Sequence, residues 1–138
     1  MIQPKIIENI AQRFEIAHNS LYLTEPTCFA KLTNATNEYS ESMQSHRFDK
    51  EANKHVQFSV YIFLARYKKD FSVGGRFIFT DVENKKRKNV IIDPKVGRVL
   101  VYSSGSENTH LIENIASGHL LFLTLSFTCD KDSVLSLK

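Results

Sequence analysis

The sequence predicts a mainly β domain, a barrel or sandwich, with one helix flanking it at the N-terminal side. Between residues 58 and 128, four short runs rich in β-branched and aromatic residues are separated by turn-forming residues, a pattern typical of consecutive strands. Ahead of them, apolar residues recur at helical spacing. We therefore expect a single domain, 1–138, in which 1–19 forms a flanking helix and 20–130 forms the β core.

Composition limits the classes of function. The chain has 138 residues, a formal net charge of +3 and 42% hydrophobic residues, which is ordinary for a globular domain and does not indicate a nucleic-acid partner. No apolar run is long enough to cross a bilayer, and no signal-type core follows the N-terminus. We expect a soluble chain that does not itself insert into a membrane.

The N-terminal segment from Pro4 to Ala17 is predicted to be an amphipathic helix. Its apolar positions, which include Ile6, Ile10 and Phe14, follow a helical period and are separated by polar residues of both signs. Proline is tolerated in a first helical turn, where its missing N–H has no partner to lose. The mixed polar face favours packing against a sheet over binding to a membrane surface.

The β core is predicted to begin with two short strands, Leu21–Leu23 and Cys28–Leu32, joined at a turn marked by Pro26. The run Gln57–Ala65 is apolar on both faces, which is typical of a central strand covered on both sides. Cys28 and Cys129 could form a disulfide only if their strands adjoin.

Four further strands are predicted at 76–80, 90–92, 98–102 and 120–128. Gly74 and Gly75 allow the chain to turn before the first of them, and Gly97 lies where a tight turn needs a positive φ. The basic run Lys85–Lys88 has no interleaved aromatic residues, so we interpret it as a charged hairpin tip and not as a phosphate-binding patch.

Among residues suited to chemistry, the sequence offers a candidate metal site. The sequence has no phosphate-binding loop, no dinucleotide fingerprint, no cysteine pair at zinc spacing and no nucleophile elbow. Asp49 follows a polar loop, and His110 follows the Ser103-Ser104-Gly105 turn. Non-haem Fe(II) oxygenases hold iron with two imidazoles and one carboxylate. Asp49 and His110, with one more ligand near Asp49, are therefore the predicted metal ligands.

Four ordered motifs resemble one known family. They are Gly74–Thr80, Pro94–Val99, Ser103–His110 and the closing Leu-Ser-Phe-Thr-Cys at 125–129. Together they resemble the 2-oxoglutarate- and Fe(II)-dependent dioxygenases of the prolyl-hydroxylase type, and most closely the iron- and 2-oxoglutarate-dependent oxygenase domain-containing proteins. The resemblance extends over about Ser20 to Asp130, and the ordered set is more specific than any single motif.

The resemblance implies a double-stranded β-helix (jelly roll), Fe(II), and 2-oxoglutarate as co-substrate, with ascorbate as a candidate accessory cofactor. It implies hydroxylation of a C–H bond, commonly prolyl, on a protein or peptide substrate. It also leaves open a membrane-anchored parent protein or one of the endoplasmic reticulum. The tripeptide Asn34-Ala35-Thr36 is a glycosylation sequon that would suit such a compartment, although sequons also occur by chance.

Carried over residue by residue, the resemblance places His110 at the distal iron ligand and Asp49 at the carboxylate ligand. The first histidine of the metal-binding pair would lie two residues before Asp49, where this chain has Arg47. Arginine stays protonated and cannot ligate iron. His46, one residue earlier, is the candidate third ligand.

The co-substrate position also departs from the family pattern. Family members grip the far carboxylate of 2-oxoglutarate with a basic residue ten positions after the distal histidine, where this chain has Leu120. His119, one residue earlier, is the candidate cofactor-binding residue. A shift of one position along a strand turns a side chain to the opposite face, so either histidine needs a local bulge to substitute.

Two non-enzymatic alternatives follow from these departures. One is a degenerate oxygenase that keeps its pocket as a binding module and has lost turnover. The other is a structural β domain of a larger membrane or secretory protein, with the basic hairpin or the N-terminal helix as its contact surface.

Overall fold

The computed structural model describes residues 3–34, 54–80 and 89–135. His46, Arg47, Asp49 and the basic run 85–88 lie outside the described residues. One α-helix, α1, spans Gln3–Arg13. The strands in chain order are β1 (Tyr22–Thr33), β2 (Phe58–Phe63), β3 (Phe71–Ser72), β4 (Phe77–Phe79), β5 (Val90–Ile92), β6 (Val99–Ser103), β7 (His110–Ile112) and β8 (Ser117–Thr128).

The strands of the described residues form two antiparallel sheets. The larger sheet has the order β1-β8-β2-β6, and the short β3 pairs with the beginning of β8. The smaller sheet has the order β5-β4-β7. Side chains of both sheets meet in one buried cluster, in which Tyr61 of β2 lies edge-on to Phe77 of β4 at 5.2 Å between ring centroids. This confirms the predicted mainly β, jelly-roll class with a flanking helix.

The larger sheet buries apolar side chains on both faces. Along β2, Tyr61 and Phe63 point into the cluster between the sheets, whereas Val60 and Ile62 point into a second cluster beneath the helix. Because β2 lies between β8 and β6, the prediction of a central strand covered on both sides is confirmed.

Helix α1 covers the outer face of the larger sheet. Ile6, Ile10 and Ala11 are buried there against apolar residues of β2 and β8. The predicted amphipathic helix and its packing on a sheet are thus confirmed, but the helix ends at Arg13 and not at Ala17. Glu15 has a positive φ of 55°, which a continuing helix cannot accommodate.

The two strands predicted around Pro26 are one strand. β1 runs from Tyr22 to Thr33 and pairs with β8 along its length, so the predicted turn between them is wrong. The register shifts between Thr24 and Cys28, where four steps along β1 match two along β8. Proline has no backbone N–H to donate to a neighbouring strand, but it is tolerated at a bulge. Pro26 therefore marks a bulge within one strand and not a turn between two.

Neither cysteine forms a disulfide, and Cys28 Sγ lies 3.2 Å from Thr124 Oγ1. Cys28 pairs in register with Thr124 on β8, whereas Cys129 follows the far end of that strand. A disulfide between Cys28 and Cys129, which the sequence left open, therefore does not form.

The glycine turns follow the predicted backbone geometry. Gly97 has a φ of 80° in the turn before β6. Gly74 has a φ of 88°, and a Cβ there would lie 1.9 Å from the carbonyl oxygen of Asn114, so a side chain would also collide with the backbone. Within the described ranges, no helix is long and apolar enough to cross a membrane.

Candidate functional site

His110 is the first residue of β7, and the smaller sheet fixes its position. It pairs in register with Phe79 of β4. Immediately before it, the carbonyl oxygen of Thr109 accepts a 2.7 Å hydrogen bond from the backbone N–H of Thr80. The backbone ladder of the smaller sheet therefore holds His110 in place.

The loop that leads to His110 is closed by its own polar side chains. Asn108 Nδ2 donates to the carbonyl oxygen and the hydroxyl oxygen of Ser103, both at 2.9 Å. Ser103 Oγ donates to Glu107 Oε1 at 2.6 Å, and this bond is the main reason that the pKa of Glu107 lies below its ordinary value. Because these hydrogen bonds join residues 103–108 to each other, they stabilise the conformation of the loop that leads to His110.

The imidazole of His110 has a defined tautomer. Nδ1 lies 2.8 Å from the carbonyl oxygen of Asn108, which only accepts, so Nδ1 carries the proton and donates. Nε2 is then the acceptor nitrogen when the ring is neutral. A backbone carbonyl that fixes the tautomer in this way is a common support for a metal-ligating histidine.

Aromatic rings hold the imidazole from three sides. Phe77 stacks on it at 4.5 Å and 18°, and Tyr102 and Phe79 lie edge-on at 5.0 and 6.0 Å. The hydroxyl of Tyr102, on β6, lies 3.3 Å from Nε2 of His110. His110 therefore belongs to a ring cluster that joins the two sheets.

This ring cluster fills the interior behind His110. Phe77 contacts Tyr61 at 5.2 Å, and Tyr61 stacks on Phe122 at 4.6 Å and lies edge-on to Phe63 at 4.8 Å. Leu120 belongs to the same buried cluster and has no exposed surface. A Cβ added at Gly75 would lie 3.3 Å from Leu120 Cδ2, so the side chain is closely surrounded.

His119 and Leu120 lie on opposite faces of β8. The register of β8 with β1 is regular from Cys28 to Thr33, so side chains alternate, and His119 faces away from the cluster that contains Leu120. The backbone N–H of His119 donates to the carbonyl oxygen of Asp70 at 2.8 Å. His110, by contrast, packs on that cluster, so the described structure does not bring the two histidines to one face.

Asp70, whose backbone carbonyl accepts from His119, has its carboxylate engaged by Arg66. The backbone N–H of Arg66 donates to Asp70 Oδ2 at 2.6 Å and its side chain pairs with the same oxygen at 3.2 Å. These two bonds, in that order, hold the pKa of Asp70 below its ordinary value, and the charge of His119 acts in the same direction. Asp70 is thus an ionised partner of a surface arginine.

The described part of the chain supplies one of the three predicted metal ligands, His110. Within residues 3–34, 54–80 and 89–135, no three side chains of histidine, cysteine, aspartate or glutamate come close enough together to hold a metal. The buried cluster between the sheets likewise contains no lysine or arginine among its described members. Nε2 of His110 is an acceptor nitrogen of the type that ligates metals, but the described interior has no buried lysine or arginine to pair with the far carboxylate of a dicarboxylate.

Sequence reasoning found His110 but missed the residues that surround it. Tyr102 was interpreted only as the end of a strand, and the pairing of His110 with β4 was not predicted. The alternation of side chains along β6 could have predicted that Tyr102 is buried, because it places Tyr102 on the same face as the apolar Leu100. Contact between Tyr102 and His110 depends on two different sheets and had no local signal.

The chain is similar to curated proteins over nearly its whole length. It is 35% identical over 133 residues to "2-oxoglutarate and iron-dependent oxygenase domain-containing protein 3" of Mus musculus, and 33% identical to the protein of the same name of Homo sapiens. Each match covers 95% of this chain and 40% of the relative, so the chain spans well under half the length of these relatives. Human "Prolyl 3-hydroxylase 2" is 39% identical over 64 residues, which cover 46% of this chain and 9% of that protein.

Two solved structures are also similar. A 2OG-Fe(II) oxygenase family oxidoreductase from Burkholderia pseudomallei has a TM-score of 0.48 and 20% identity, over 75% of this chain and 39% of its own. A prolyl hydroxylase from Trichoplax adhaerens, in complex with a peptide fragment of the hypoxia inducible factor oxygen degradation domain, has a TM-score of 0.45 and 24% identity, over 61% and 36%. No protein-family model matches the chain.

Proposed function

Because this chain belongs to the 2-oxoglutarate- and iron-dependent oxygenase family, we propose that it is a metal-binding domain of the dioxygenase type that acts on a protein or peptide. The observation that best supports the proposal is the setting of His110. Its Nδ1 donates to a backbone carbonyl, and its ring packs against Phe77 of the smaller sheet and Tyr102 of the larger one. The similarity to prolyl 3-hydroxylase 2 supports a prolyl-type peptide as the substrate class.

In this proposal His110 is one metal ligand, and Asp49 and His46 are the other two. Fe(II) and 2-oxoglutarate, when bound, would activate O₂, which is the oxidant for hydroxylation of a C–H bond of the substrate. The protein's part is to hold the ion through an imidazole of fixed tautomer and to keep the rings behind it rigid. Ascorbate as an accessory cofactor and His119 as a co-substrate contact stay predictions from the sequence.

A second candidate function is a binding module on the same fold that does not turn over 2-oxoglutarate. One observation favours it: Leu120, which stands where the family has a basic residue, is fully buried among aromatic rings. A charge-assisted contact contributes about 1.5–3 kcal/mol, so its loss weakens carboxylate binding by roughly one to two powers of ten. Metal and peptide binding are compatible with this candidate, and succinate formation is not.

Metal titration tests the site. We expect Fe(II), or Mn(II) as a redox-silent substitute, to bind the wild-type chain, and we expect the Asp49→Ala, His110→Ala double variant to lose that binding because two of three ligands are gone. The single His119→Ala variant is the matched control and should bind metal like the wild type, since His119 faces away from His110. Equal metal binding by the double variant and the wild type would contradict the site.

Product analysis then separates the two candidate functions. If the domain is an oxygenase, the metal-loaded chain should release succinate from 2-oxoglutarate in the presence of oxygen, and the double variant should not. If it is a binding module, the wild type should bind metal and give no succinate above the level of the double variant. The comparison is made at equal metal loading, so that weak metal binding is not mistaken for loss of turnover.

A further inference from the structure

Two connections form the end of the sandwich opposite His110. Residues 64–76, which include β3, join β2 to β4, and residues 93–98 join β5 to β6. β4 begins at Phe77, beside these connections, and ends at Phe79, which pairs with His110. We call residues 64–76 and 93–98 together the loop surface. It lies away from the candidate metal ligand, so the proposed function does not use it.

The two connections lie side by side. The backbone N–H of Gly97 donates to the carbonyl oxygen of Phe63 at 2.8 Å, and the N–H of Phe63 donates to the carbonyl oxygen of Arg98 at 3.1 Å. These hydrogen bonds place Leu64, the residue after Phe63, next to the turn at 93–98. Side chains from both connections therefore belong to one surface.

The loop surface exposes four apolar or aromatic side chains. Val73 is 65% exposed, Val96 51%, Tyr67 49% and Leu64 38%. Val73 also has a φ of 46°, a left-handed conformation that is unfavourable for a β-branched residue. The fold thus holds this valine in a strained conformation without burying its side chain. A group of exposed apolar side chains of this kind is typical of a contact surface.

The free positive charge of the loop surface is carried by lysines. Lys68, Lys69 and Lys95 are exposed, and none of them forms an ion pair with another described residue. The three arginines of the surface are instead hydrogen-bonded within the domain: Arg66, Arg76 and Arg98. The surface has six basic and two acidic residues and therefore a formal charge of +4, which exceeds the +3 of the whole chain.

From these features we propose that the loop surface docks on an anionic lipid surface. The lysines would lie near the head groups, and the exposed apolar side chains would reach the boundary with the acyl chains. No segment of the chain crosses the bilayer in this arrangement. The end of the domain that carries His110 faces away from the lipid, so the candidate site stays accessible. The proposal does not require a metal at His110.

Composition favours a lipid surface over an acidic protein as the partner. Interfaces between proteins are enriched in arginine and depleted in lysine. On the loop surface the arginines are engaged within the domain, and the cations left to meet a partner are lysines. Lysine attraction to anionic lipids adds up residue by residue and needs no fixed geometry. Tyr67 also suits this setting, because tyrosine is enriched at the boundary between membrane and water.

Vesicle sedimentation tests the role of the lysines. We expect the 138-residue chain to sediment with vesicles made of equal parts of phosphatidylcholine and phosphatidylserine, and to stay in solution with phosphatidylcholine alone. Since each lysine near the surface contributes about fivefold, the Lys69→Ala, Lys95→Ala double variant should bind about 25-fold more weakly. The matched control is Lys54→Ala, Lys131→Ala, which removes the same charge from exposed positions outside the loop surface and should bind like the wild type.

Tryptophan fluorescence tests the apolar contact and the orientation. The chain has no tryptophan, so Val96→Trp places a single reporter on the loop surface. Its emission should shift to the blue when the phosphatidylserine vesicles are added, because the side chain leaves water. Val134→Trp is the matched control, since Val134 is 41% exposed and follows β8 at the opposite end of the domain. Its emission should not shift.

Four results would overturn the proposal. The first is a wild type that does not sediment with the phosphatidylserine vesicles. The second is an equal loss of binding in the two double-lysine variants, which would mean that the vesicles respond only to the overall charge of the chain. The third is a blue shift in Val134→Trp, which would contradict the orientation. The fourth is vesicle binding without a shift in Val96→Trp, which would mean that the surface recognises charge alone, as a contact with an acidic protein would.

Discussion

Replacing Leu120 with arginine is expected to destabilise the domain by at least about 3 kcal/mol, because it places a charge without a partner in the ring cluster. Leu120 is fully buried in the cluster that contains Tyr61, Phe63 and Phe122, and a Cβ on Gly75 would lie 3.3 Å from its Cδ2. Domains of this kind are stable by only about 5–15 kcal/mol, so the loss is a large fraction of the total. Denaturant unfolding, followed by a tertiary-structure probe, measures it.

The matched control is Leu120→Met, which keeps volume and apolar character and should cost less than about 1.5 kcal/mol. The family pattern has a basic residue at this position. The packing now predicts that destabilisation dominates. An arginine variant within about 1 kcal/mol of the wild type would show that Leu120 borders space open to an anion, and a further gain in stability on adding 2-oxoglutarate and Mn(II) would favour the oxygenase over the binding module.

Replacing Phe77 with alanine is the second large effect that we expect, at about 3–5 kcal/mol of unfolding free energy. Phe77 is fully buried on β4 and contacts rings of both sheets: Tyr61, Phe79, Tyr102 and His110. Its removal leaves a cavity between the sheets and takes away the ring on which the imidazole stacks. We therefore expect metal affinity to fall together with stability, and thermal or denaturant unfolding with a parallel metal titration measures both.

Phe29→Ala is the matched control for Phe77→Ala. It makes the same substitution on a side chain that is 63% exposed on β1, so the change in stability should stay within about 0.5 kcal/mol. If Phe77→Ala cost no more than Phe29→Ala, the ring cluster would not be the contact that joins the two sheets. If stability fell but metal affinity did not, His110 would be positioned by its backbone ladder alone.

The effects of these two substitutions follow from one property of the interior. A single set of packed rings both joins the two sheets and surrounds the candidate ligand histidine. Stability and site geometry are therefore coupled in this domain, because no side chain of the cluster can move without disturbing the contacts of its neighbours. A variant that probes the site must therefore be compared with a core variant that lowers the free energy of unfolding by a similar amount.

Much of the fold was readable from local pattern. The helical period around Ile6 and Ile10 predicted the helix and its packing on a sheet, and the doubly apolar run at 57–65 predicted a central strand. These predictions succeed because the spacing of apolar residues along the chain shows whether one or both faces of an element are buried. The turn at Pro26 failed, since a proline marks a break in hydrogen bonding but does not say whether the chain reverses or only bulges.

The sequence by itself determined the class of fold, the family resemblance and the choice of His110, because these depend on residue order along one chain. Tertiary structure decided that Leu120 is buried in packed rings while His119 faces the other way, and that Tyr102 touches His110. Those facts depend on how two sheets face each other, which is set by long-range packing between strands.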